Sequence, residues 1–171
     1  MDIRHYQNAC NWLAYLGSRF VAMSVLLLSF LGSAFAADHS VILMYRRFGE
    51  DQLPSTNIRL DQFDAHLEKL SNGNYSVWPL AKIVDYLQKD MPLPDRTVAI
   101  TIDDAYLSVF TEAWPRLKAK GLPFTVFVAT DPIDRKHRGY MSWDQLRQLQ
   151  ADGVGIGSQT ASHPHMHLSS L

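Results

Sequence analysis

Asp103 and Asp104 are adjacent carboxylates at the end of an apolar run, within Thr101-Ile102-Asp103-Asp104-Ala105-Tyr106. Residues at the carboxyl ends of parallel strands meet in the ligand crevice, where two neighbouring carboxylates can divide the work between a metal and a proton. An Asp-Asp pair after a strand can also simply cap the next helix and offset its dipole. A second polar cluster, Gly157-Ser158-Gln159-Thr160-Ala161-Ser162-His163-Pro164-His165, follows one more strand-helix-strand passage. With His167 it offers three imidazoles, each a potential metal ligand as well as an ordinary surface or hydrogen-bonding group. The glycines in Val154-Gly155-Ile156-Gly157 let the backbone bend closely around a site, and Ser158, Gln159 and Thr160 bring polar groups to it.

The elements that must hold these residues follow from periodicity. Val41 to Tyr45 is a short, continuous apolar run and reads as a buried strand. Arg46 to Arg59, with Gly49, Pro54, Ser55 and Asn57, reads as a loop. Asp61 opens a helix with Phe63, Leu67 and Leu70 on one face, stopped by Gly73. A strand over Tyr75 to Trp78 precedes a second helical stripe of Leu80, Ile83, Val84 and Leu87. Pro92 and Pro94 forbid its continuation, and Arg96 to Ile102 is rich in β-branched residues. Tyr106 to Lys120 reads as a helix ended by Gly121, kinked or broken at Pro115. Phe124 to Ala129 is the next strand, Ser142 N-caps a helix over Trp143 to Ala151, and Val154 to Gly157 is a final short strand. Strands alternating with helices through five units predict an α/β fold with a parallel sheet, either barrel-like or open and doubly wound.

The N-terminus stands apart. Phe20 to Phe35 is apolar and nearly uncharged, follows Arg4 and Arg19, and ends in Ala34-Phe35-Ala36, the small-x-small pattern of a signal-peptidase site. Residues 1–36 are therefore expected to be a signal peptide and residues 37–171 the exported domain, secreted or periplasmic, with no stable membrane span after cleavage. An uncleaved anchor is the competing reading, because the segment is almost long enough to span a bilayer. The single cysteine, Cys10, lies in this leader, which excludes disulfides and a thiol nucleophile from the mature chain. With 16 basic and 17 acidic side chains there is no basic field to gather phosphates, so a nucleic-acid partner is not expected.

The Asp103-Asp104 segment resembles the first motif of the polysaccharide deacetylases with a NodB-like domain, carbohydrate esterase family 4, usually Thr-Phe-Asp-Asp-Gly. Ser158 to Met166 is similar to the second motif, usually Ser-His-Thr-x-x-His-Pro-x-Leu, and Tyr45-Arg46-Arg47-Phe48 resembles the Tyr-His-x-Phe of the first strand. The resemblance spans residues 41–168. It implies a barrel-like parallel (β/α) NodB fold, of which about the first five strands are expected here. It also implies that the family's later motifs would fall beyond Leu171.

Carried over by position, the resemblance makes Asp103 the general base and Asp104 a ligand of a divalent metal, zinc above all. His163 becomes the second histidine of the metal pair, and Gln159 takes the place of the first. Gln159 offers an amide oxygen where borderline metals favour imidazole nitrogen, so a weaker zinc site is expected. Arg46 stands where the first-strand histidine would be. The implied reaction is removal of N-acetyl groups from a GlcNAc-containing polysaccharide or chitooligosaccharide. The alternative is an inactive, truncated remnant that binds carbohydrate, with Tyr45, Tyr106, Tyr140 and Trp143 stacking on sugar rings. A phosphoryl-acceptor role for Asp103 would call for electropositive, phosphate-stabilising groups and suits an exported protein poorly.

Overall fold

The computed structural model describes residues 39–164; the expected leader, His165 and His167 lie outside the described residues. The centre of the fold is strand β5 (Thr97–Asp103), buried along its length until Asp103. A run of Val, Ile, Ala and Thr suits a parallel strand covered on both faces. β1 (Val41–Tyr45) pairs with β5 in parallel, Met44 opposite Thr101 and Tyr45 opposite Ile102. β6 (Thr125–Val128) and β7 (Gly155–Ser158) continue the sheet in the order β1-β5-β6-β7, all parallel, and β4 (Ser76–Val77) pairs with the start of β5. The carboxyl ends of β1, β5, β6 and β7 therefore share one rim, with Tyr45, Asp103, Val128 and Ser158 along it.

The helices return the chain between strands. α1 (Leu60–Asn72) buries Phe63, Leu67 and Leu70, as their spacing predicts. α2 (Leu80–Gln88) buries only Ile83 of its expected stripe; Val84 and Leu87 stay exposed. Ile83 packs with Leu93 and Ala99 in a small satellite core, too small to cover the rest of that face. The Tyr106–Lys120 region does not form one α-helix. Val109–Ala113 is a π-helical turn that passes into α3 (Trp114–Ala119), which puts Pro115 in the first turn of α3, where its missing N–H costs nothing. A short helix, α4 (Asp131–Asp134), precedes α5 (Trp143–Ala151). In α5 the Ser142 side chain accepts from Gln145 N, and the Gln145 side chain accepts from Ser142 N, a full capping box.

Two expectations are corrected. The region after β1 is not simply a loop, because β2 (Arg47–Phe48) and β3 (Asn57–Ile58) form a short parallel ladder. β1 is not buried either: Val41, Ile42 and Met44 are 54%, 52% and 69% exposed. An apolar run reveals a strand but not its place in the sheet, and β1 has β5 as its one ladder partner among the described residues. The main core lies between β5, β6, α1, α3 and α5, with Phe63, Ile100, Ile102, Leu117, Val126 and Leu149 at its centre. Among the described residues, no helix is long and apolar enough to cross a membrane.

Candidate functional site

β5 ends by delivering two carboxylates into different surroundings. Asp103 continues the ladder opposite Phe127 and stands half-buried at the rim. Asp104, the next residue, is 4% exposed and takes a left-handed backbone conformation with φ +58°. Aspartate tolerates that conformation better than most residues, and here it turns the second carboxylate inward. The turn is fixed from behind: Met141 N donates to Ala105 O, Leu107 N donates to Gly139 O, both at 2.7 Å, and Tyr106 bridges Tyr140.

The partner of Asp104 is Arg46, directly after β1. Arg46 Nε and Nη2 both reach Asp104 Oδ2, at 2.7 and 2.6 Å. Asp104 therefore does not act as a helix cap. It is a buried carboxylate neutralised by a guanidinium, an arrangement stable only while both partners remain. Burial lowers the Arg46 pKa, but its bonds to Asp104 and Tyr106 more than offset that and leave it raised. Asp103 shifts in the acid-weakening direction: burial, then the neighbouring Asp104 charge, raise its pKa, while Arg46 and His163 pull it back. A carboxylate held above its usual range accepts a proton more readily than an ordinary aspartate.

Asp103 opens onto a cleft of about 490 Å³ walled by β1, Arg46, Arg47 and the Ser55–Ile58 segment. Next to it a second polar network braces the wall. Ser108 Oγ donates to Glu50 Oε1 at 2.6 Å, and Arg47 Nη1 donates to Glu50 Oε2 at 2.7 Å. Arg47 also lies over the Tyr106 ring, its guanidinium carbon 3.4 Å from the centroid. Sequence reasoning missed this network, because Glu50, Ser108 and Tyr106 are brought to Arg47 only by the fold. Tyr106 is buried, with Tyr140 and Arg47 on its ring and the Tyr140 hydroxyl donating to its own at 3.2 Å. It is thus not the open sugar platform considered from sequence. Tyr45 is likewise engaged, edge-on to Phe63 and hydrogen-bonded to His66.

The second polar cluster follows β7. Gln159 N donates to Val128 O, which extends the β6–β7 ladder by one bond, and Gln159 Oε1 is buried with no hydrogen-bond partner among the described residues. An unsatisfied buried amide oxygen costs about 1–3 kcal/mol and calls for an explanation such as an ion. His163 is exposed, at φ +50°, with its backbone N–H donated to Thr160 Oγ1 at 3.2 Å. Its charge is felt at Asp103. Among the described residues, no three His, Cys, Asp or Glu side chains gather into a metal-holding group. The donors along this rim are a carboxylate, an imidazole and the unpartnered amide oxygen. Oxygen and nitrogen donors of these kinds suit a divalent cation such as zinc. On that chemistry the residues fit the group, with Arg46 bound to one of them.

Residues 90–170 match the family model described as polysaccharide deacetylase. The Bacillus subtilis protein YxkH, which is named for the polysaccharide deacetylases, is 28% identical over 122 residues, 71% of this chain and 42% of that protein. Among solved structures, IcaB from Ammonifex degensii is 32% identical with a TM-score of 0.61, covering 72% of this chain and 53% of that one. A Streptococcus pyogenes deacetylase, PplD, solved in complex with acetate, superposes with a TM-score of 0.65 at 21% identity, over 76% of this chain and 60% of that one. The chain spans less than half the length of YxkH and three-fifths or less of these two structures.

Proposed function

We propose, from the match of residues 90–170 to the polysaccharide deacetylase family and the likeness to its members, that the chain hydrolyses N-acetyl groups on a GlcNAc-containing polysaccharide or chitooligosaccharide. The observation that carries this reading is the division between the two carboxylates. Asp104 is buried and charge-paired, while Asp103 faces the cleft with a raised pKa. The first is suited to holding a cation and the second to taking a proton, which is the split that metal-assisted hydrolysis needs.

Asp104, His163 and the Gln159 amide oxygen would hold a divalent metal, with zinc the expected ion. When bound, such a metal supplies Lewis-acid polarisation of the acyl carbonyl. Asp103 accepts the proton of the water that attacks the acetamide carbon. The C–N bond breaks, acetate leaves, and the sugar nitrogen takes up a proton to become a free amine. The wall formed by Arg47, Glu50 and Ser108 keeps the β1–β2 turn in place, so that the cleft holds the acyl group near Asp103. The product acts in an exported setting if residues 1–36 direct secretion and are cleaved after Ala36.

The direct test is incubation of the chain with N-acetylglucosamine oligomers, measuring acetate and free amine together. Equal yields of the two support the reading. Acetate released only from O-acetylated sugars, with no new amine, would reassign the reaction to an ester.

A further inference from the structure

We propose that Arg46 is an internal cation that competes with a divalent metal for Asp104 Oδ2, so that a metal loading on that oxygen displaces the guanidinium. This rests on the reading of Asp104, Gln159 and His163 as metal ligands. Both Arg46 contacts fall on one atom, Asp104 Oδ2, at 2.7 and 2.6 Å. A metal–carboxylate bond is about 2.0–2.2 Å long, so a cation that takes Oδ2 must displace these N–H groups. Charge acts in the same direction. With Arg46 in place, Asp103 and Asp104 present one net negative charge to an incoming ion; with Arg46 withdrawn they present two.

The two partners differ in their freedom to move. The Asp104 side chain is 6% exposed and fixed by its turn, whereas that of Arg46 is 41% exposed. Arg46 also borders the cleft of about 490 Å³, which gives a displaced guanidinium room to rotate away from the two carboxylates. Gln159 Oε1, meanwhile, after β7 on the same rim, is buried with no hydrogen-bond partner among the described residues. That combination describes a site closed by its own counter-ion, with a spare acceptor left over. Arg46 is a positioning residue here: it sets the state of Asp104 and takes no part in bond making.

The test is a zinc titration against a competing chelator on the full chain, comparing wild type, Arg46→Gln and Asp104→Ala. Removing a charged hydrogen-bonding competitor should tighten zinc about 10- to 100-fold in Arg46→Gln, with binding lost in Asp104→Ala. A second measurement uses the wild type alone and carries no folding risk. The Arg46 Nε–H resonance, protected by its bond to Asp104, should lose that protection over the same zinc range that fills the site. Equal zinc affinity in wild type and Arg46→Gln, or an Arg46 resonance unchanged at saturating zinc, overturns the competition and leaves the metal reading standing. A folded Arg46→Gln that takes up no zinc overturns both.

Discussion

The Phe127 ring lies against Gly157 so closely that a Cβ on that glycine would stand 2.5 Å from ring carbons Cδ1 and Cε1. The two residues are paired across β6 and β7, so an aromatic side chain occupies the space that a side chain on the neighbouring strand would need. Glycine here is required by close approach rather than by its φ, and the contact sets how β7 runs into Gln159. Gly157→Ala is expected to cost about 1–3 kcal/mol, the usual range for overpacking a filled site. Urea unfolding would measure it; an unchanged midpoint would show that Phe127 yields without strain.

Asp103 gives the fold a pH dependence of definite sign. Burial and the Asp104 charge raise its folded pKa, so the folded chain holds this proton more tightly than the unfolded chain does. That contribution is full below the unfolded value and is lost as pH rises through the folded one. Asp103→Asn stays neutral throughout. Its stability should match the wild type in acid and exceed it as pH climbs toward neutrality, in thermal unfolding followed across pH. A wild-type advantage that grows with pH would contradict the assignment.

The capping box of α5 should be separable from the site. Ser142→Ala removes the side-chain acceptor for Gln145 N and is expected to cost about 1 kcal/mol. Because α5 packs through Leu146 and Leu149 and lies away from the Asp103 cleft wall, zinc affinity should not change. A loss of zinc binding equal to that of a ligand variant would mean that α5 helps to shape the metal rim.

Where the code was local, the sequence was readable. The α1 stripe, the Ser142 cap and the strand before Asp103-Asp104 all rest on spacing within a few residues. The exposure of β1 and of the Val84–Leu87 face depends on what packs against them, which periodicity does not carry. The site divides in the same way. Asp103, Asp104, Gln159 and His163 can be picked out by type and motif, and Arg46 is visible as a substitution in the first-strand pattern. That Arg46 would reach across 58 positions to neutralise Asp104 follows from the β1–β5 pairing and not from any local signal.

The N-terminal segment makes a prediction independent of the fold. Ala34 and Ala36 follow an apolar run and satisfy signal peptidase, so the exported product should begin at Ala37 on N-terminal sequencing. Recovery of the full-length chain in the membrane fraction would favour the anchor reading instead.

In the proposed reaction Asp103 takes the proton in a deacetylation supported by a metal that it does not itself hold. The most direct measurement is acetate release from N-acetylglucosamine oligomers by wild type and Asp103→Asn at matched zinc content, checked by elemental analysis. Loss of a general base is expected to lower the rate about 100-fold or more with zinc content unchanged. Undiminished acetate release by Asp103→Asn would contradict the account, as would a wild-type chain that binds the oligomer and zinc but releases no acetate.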